Sequence, residues 1–119
     1  MLTNQEIFDG TMKHLRTQNC KSVDPANSSR CLYRGSNNTK CAVGYWIPDE
    51  LYDPKMEDSS ARHLIDMEWI PKMDKSHKSL ASSLQYIHDG YPVMDWEERF
   101  QIVAREFNLK YTPKEETSE

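Results

Sequence analysis

The side chains of this chain that could carry out chemistry are three cysteines, Cys20, Cys31 and Cys41, and four histidines. A zinc site would recruit Cys31 and Cys41 with Cys20 and one of His63 or His88. Such sites usually set paired ligands about two to four residues apart, so that one tight turn presents both. Nine residues separate Cys31 from Cys41, and isolated thiols more often serve as small buried hydrophobes. A nucleophilic thiol would need a neighbouring histidine that a third group orients. His88-Asp89 offers the right types, but adjacent residues at a helix end seldom hydrogen-bond in that manner. His88 is instead expected to favour the negative end of a helix as an imidazolium. Asp49, Glu50 and Asp53 form an acidic cluster of the kind that 19 acidic residues produce by chance. His14, beside an apolar stripe, reads as structural. The residues therefore predict no catalytic group, no metal ligand and no cofactor; the alternative is a small enzyme or zinc-binding module using Cys31, Cys41 and a histidine.

Recognition is the chemistry better supplied. Tyr33, Arg34, Tyr45, Trp46 and Tyr52 are of the types that dominate protein interfaces, and Asp49 and Glu50 add an acidic turn beside them. Arg34 has two readings, an internal ion pair with Asp49 or Glu50 and a contact with a partner's anion. Tyr45 and Trp46 also have two, packing against the last helix and display to a partner. The element expected to position them is an antiparallel hairpin. Cys31-Leu32-Tyr33-Arg34 and residues 41–47 are rich in aromatic and β-branched residues, and Gly35-Ser36-Asn37-Asn38-Thr39 between them favours a turn. Pairing Arg34 with Cys41 puts Leu32 opposite Val43 and Cys31 opposite Gly44, so the two thiols do not face one another. Pro48 closes the second strand and opens a short helical turn through Tyr52, which Asp53-Pro54 ends.

The pattern C-L-Y-R-G, a short spacer, C-A-V-G and then I-P-D-E-L-Y-D-P-x-M-E, from Cys31 to Glu57, resembles a family of short uncharacterised proteins of bacteriophages and bacterial genomes. A later L-Q-x-I-H-D and a tryptophan-led final helix extend the resemblance over most of the chain. Two features depart from the pattern, the Asn-rich tip at Ser36 to Lys40 and the bulky Tyr45-Trp46. The resemblance brings no activity; it implies a cytoplasmic accessory protein, one that a phage makes against its host.

Around this stretch the remaining elements read in order. Thr3 and Glu6 form a capping box ahead of Ile7, Phe8, Met12 and Leu15, which predicts a helix over 4–18. Residues 19–30 read as a loop or a weak strand around Ser22-Val23. Asp58 or Ser59 caps a helix carrying Leu64, Ile65 and Met67 to about Glu68, and Pro71 stops it. The basic run 72–78 reads as exposed. Leu80, Leu84 and Ile87 stripe the next helix as far as Asp89-Gly90, and Asp95 with Glu98 caps the last, striped by Trp96, Phe100, Val103 and Phe107. Residues 1–111 are thus expected to form a single α+β domain: an N-terminal helix, an antiparallel hairpin, and three or so amphipathic helices packed on it. Residues 112–119 are expected to form a polar tail.

Composition narrows the function. With 37% hydrophobic and 29% charged residues the chain can build one small core. A net charge of −4 opposes general affinity for phosphate backbones, so nucleic acid is not the expected partner. No basic leader followed by an apolar run and no span of about 20 apolar residues is present, which predicts a cytoplasmic protein that does not cross a membrane. The expected function is a non-catalytic protein-binding module, a phage-encoded inhibitor of a host or anti-phage defence protein that occludes a functional surface. The expected contact residues are Tyr33, Arg34, Tyr45, Trp46, Asp49, Glu50 and Tyr52.

Overall fold

Thr3 and Glu6 start the first helix as expected. The Thr3 hydroxyl accepts from the Glu6 amide at 3.1 Å, and the Glu6 carboxylate accepts from the Thr3 amide at 2.8 Å. Helix α1, Asn4–Gln18, ends at Asn19, whose left-handed backbone (φ 53°) lets its amide reach the Leu15 carbonyl. The computed structural model describes residues 1–114; the remainder of the expected tail lies outside the described residues.

The chain is α+β; its described residues form one two-stranded antiparallel hairpin after the N-terminal helix, with several helices following it. The hairpin does not lie where the aromatic runs placed it. Its strands are β1, Val23–Asp24, and β2, Asn27–Cys31, with Val23 opposite Cys31 and Asp24 opposite Asn27. The Asp24 carboxylate accepts from the Ala26 amide at 2.8 Å and so forms the turn. The Leu32 amide continues toward the same neighbour, donating to the Ser22 carbonyl. Beyond Leu32 the expected ladder to residues 41–47 is pre-empted. Tyr33 and Arg34 donate their amides to the two carboxylate oxygens of Glu57, at 2.8 and 3.1 Å. Of the expected pairing, a single antiparallel bridge survives, Arg34 with Lys40, one residue short of Cys41. Asn37 and Asn38 between them take left-handed angles (φ 57° and 60°), which asparagine tolerates better than most residues. Residues 41–47 turn instead of extending. Gly44–Trp46 form a 3₁₀ turn, and the Val43 amide leaves for Gln85 at 2.9 Å. Gly44 is required there, because a Cβ would fall onto the Tyr33 carbonyl oxygen.

Helix α2, Ala61–Asp66, is capped by Ser60, whose hydroxyl accepts from the His63 amide at 3.1 Å. Asp58 and Ser59, the expected caps, fall inside or just after a 3₁₀ turn, Pro54–Asp58. Run 72–78 is only partly exposed, since Met73 and His77 are buried and the His77 ring accepts from the Asp74 amide at 2.9 Å. Helix α3, Lys78–Gly90, buries Leu80, Ala81, Leu84, Ile87 and His88. It packs against α1, α2 and α4 and so runs through the centre of the core. Helix α4, Trp96–Glu106, buries Trp96, Phe100, Val103 and Ala104, and Phe100 meets Phe8 of α1 edge-on at 6.4 Å. Its expected capping box does not form. Asp95 sits at the end of a 3₁₀ turn with near-helical angles (φ −97°, ψ −4°), and a side-chain cap needs an extended residue there. Among the described residues no helix is long and apolar enough to cross a membrane.

Candidate functional site

The stretch from Tyr33 to Tyr52 divides its expected contact residues between the interior and the surface. Tyr33 is 7% exposed and donates its hydroxyl to the Ser59 carbonyl at 2.5 Å; burial pushes its phenol pKa up. Arg34 takes its internal reading. Its guanidinium pairs with Asp49 at 2.7 Å, donates to the Ile47 carbonyl at 2.5 Å and lies over the Tyr52 ring at 5.0 Å. The hydrogen bond from Arg34, with the charge of Lys40, holds Asp49 below the usual carboxylate range. Tyr52 is half-buried and gives its hydroxyl to Glu57 at 2.6 Å, where burial and the carboxylate raise its pKa. Trp46 is half-buried, its indole N–H donating to Thr11 at 2.8 Å, and its ring lies so close to α1 that a Cβ at Gly10 would touch it. Tyr45 faces solvent, stacked on His14 at 4.4 Å with 17° between planes and edge-on to Trp46 at 5.1 Å. Asp49, Glu50 and Leu51 are exposed.

Tertiary structure also assembles a constellation that lies apart in sequence. Ligand atoms of Cys31, His88 and Asp89 fall within 4.8 Å of one another, and Cys41 is not among them. The last turn of α3 supplies the histidine and carboxylate; the end of β2 brings the thiol. Contrary to the expectation for neighbours, His88 and Asp89 do hydrogen-bond, Nδ1 to Oδ1, at 2.7 Å. Nor does His88 serve as an exposed imidazolium: it is completely buried, and its Nε2 accepts from the Ser22 amide at 2.9 Å. That acceptor role places the ring's single proton on Nδ1, so the imidazole is neutral and pins β1 to α3. Burial would raise the Asp89 pKa, but the hydrogen bonds from His88 and Gln85 lower it below the usual value. The Cys31 thiol is pushed up, first by burial and then by the Asp89 charge. Cys41 is pushed up to about 12 by complete burial.

These directions decide what the group can do. A nucleophile needs a thiolate, and the surroundings of Cys31 hold its proton on sulfur. A metal on His88 Nδ1 would leave the ring proton on Nε2, pointing at the Ser22 amide, two donors head to head. The arrangement is a hydrogen-bond chain from Ser22 through His88 to Asp89. It opens into a cleft of about 340 Å³ lined by Cys31, Glu57, Ser82, Gln85 and Tyr86 among others. Glu57 and Gln85, which shape this region, were invisible to spacing rules, because their partners are backbone amides of a distant loop. No family model, curated protein or solved structure matches the chain.

Proposed function

We propose that this chain is a non-catalytic, cytoplasmic protein-binding module that acts by covering a functional surface of its partner. The observation that carries the reading is Tyr45, 42% exposed yet held by His14 on its face and Trp46 at its edge. An aromatic side chain already confined to one orientation loses little entropy when a partner covers it. Leu51, 41% exposed, adds apolar surface on the following turn, and Asp49 and Glu50 supply a charged rim. Beside Tyr45 a depression of about 330 Å³ runs along Trp46, Ile47, Pro48, Pro71 and Lys72. The finer reading, a phage-encoded inhibitor of a host or defence protein, rests on the resemblance drawn from the residue pattern of 31–57 to short proteins of bacteriophages and bacterial genomes.

Benzoylphenylalanine placed at position 45 should cross-link a specific partner, whose activity falls on addition of one equivalent of the chain. The same photoprobe at Met94, which is 87% exposed, should not. Tyr45→Ala should weaken binding by about tenfold or more while the chain stays folded, at a stability cost of about 1–2 kcal/mol from the lost aromatic contacts. Unchanged binding by Tyr45→Ala, or equal cross-linking from position 94, would overturn the reading.

A further inference from the structure

The cleft over α3 is lined by anionic groups. Asp89 and Glu57 both line it, and among the described residues no lysine or arginine does. Each carboxylate is held by neutral donors. Asp89 Oδ1 accepts from the neutral His88 at 2.7 Å and from the Gln85 side-chain amide at 2.9 Å. Glu57 accepts from the Tyr33 and Arg34 amides and the Tyr52 hydroxyl. Among the described residues neither is paired with a lysine or arginine side-chain nitrogen. Asp89 is thus a carboxylate with a 40% exposed side chain, oriented by His88, Gln85 and the Cys31 thiol and without a lysine or arginine side-chain partner among the described residues. The His88 and Gln85 bonds both fall on Oδ1, so Oδ2 keeps lone pairs for a ligand. Tyr86, 61% exposed and edge-on to Tyr91 at 5.5 Å, lines the same cleft, as do Ser59, Ser60 and Ser82.

Carboxylates removed from bulk water favour a partner cation. A fixed carboxylate beside a largely exposed aromatic ring suits a planar guanidinium better than an ammonium, because the guanidinium stacks and donates in its plane at once. We propose that this cleft receives an arginine side chain of a partner protein, its guanidinium donating to Asp89 and stacking on Tyr86. The proposal concerns a different surface from Tyr45 and stands or falls without it.

The test is an NMR titration of the full chain with N-acetyl-arginine amide and with the uncharged isostere N-acetyl-citrulline amide. Saturable shifts are expected at Cys31, Gln85, Tyr86 and Asp89, with the citrulline compound weaker by about tenfold or more. Asp89→Asn, which keeps acceptors for His88 and Gln85, should weaken arginine amide by about tenfold, and Tyr86→Ala by about threefold. Equal binding of the citrulline compound, or unchanged affinity in a folded Asp89→Asn, would overturn the proposal. Should Asp89→Asn fail to fold, Tyr86→Ala decides: about threefold weakening supports the site and unchanged affinity removes it. One equivalent of zinc chloride shifting the same resonances and blocking arginine amide would also overturn it, assigning the cleft to a metal.

Discussion

Glu57 does at one residue what a neighbouring strand would have done along its length. Its two oxygens take the Tyr33 and Arg34 amides, and Oε2 also takes the Tyr52 hydroxyl. Leaving those donors without an acceptor costs far more than the net value of one hydrogen bond. Glu57→Ala should therefore destabilise the chain by about 2–4 kcal/mol, and Glu57→Gln, which retains an acceptor oxygen, by about half as much, both read from urea unfolding. Cys31 is governed by its neighbours in the same way. With Cys20 replaced by Ser, iodoacetamide should alkylate Cys31 slowly at neutral pH, at a rate still climbing at about pH 9 because the thiol pKa is raised. Asp89→Asn removes the charge that adds to burial in holding the proton, and should speed the reaction. A plateau below about pH 8 would show that the thiol is activated after all.

At the scale of elements, the loop that follows β2 is fastened to α1 through side chains. His14 donates from Nε2 to the Lys40 carbonyl at 2.8 Å, Gln18 exchanges two hydrogen bonds with the Lys40 backbone, and Trp46 bonds Thr11. Burial lowers the His14 pKa from its usual 6.5, outweighing the hydrogen bond to Lys40. As pH falls the unfolded chain therefore takes up this proton first. The stability contributed by neutral His14 is complete above about 6.5, declines as pH drops through that value, and levels off below the folded pKa. His14→Gln should remove this component. The urea midpoint of the parent should fall between pH 8 and pH 5.5 by more than that of the variant, the other histidines being common to both.

For the molecule as a whole, stability rests on α3 and on the closure of the two chain-terminal helices around it. Phe8 and Phe100 are both completely buried and meet across α1 and α4. Phe100→Ala should cost about 3–5 kcal/mol and lower the melting temperature accordingly. At the edge of the same contact Arg16 grips Glu97 through two nitrogens at 2.8 and 2.6 Å and bonds the Thr112 carbonyl. Tyr111 donates to the same carboxylate at 2.7 Å, so the segment that follows α4 is tied back to α1.

What was legible in the sequence is what depends on near neighbours. The capping box at Thr3 and Glu6, the stripes of α1, α3 and α4, and the α+β class all follow from local spacing, because a helix satisfies its own backbone and needs only one apolar face. The hairpin's position was not local. Residues 31–34 and 41–47 carry strand-forming side chains, but a strand must find its hydrogen-bond partners elsewhere, and Ser22, Glu57 and Gln85 supplied better ones. The same physics governs the candidate sites. Residue types announced an aromatic and acidic surface around Tyr45 to Tyr52, whereas only three-dimensional packing could turn Tyr33 and Arg34 inward. Only packing, too, could carry the end of β2 to the last turn of α3, setting a thiol, an imidazole and a carboxylate side by side at the mouth of a cleft.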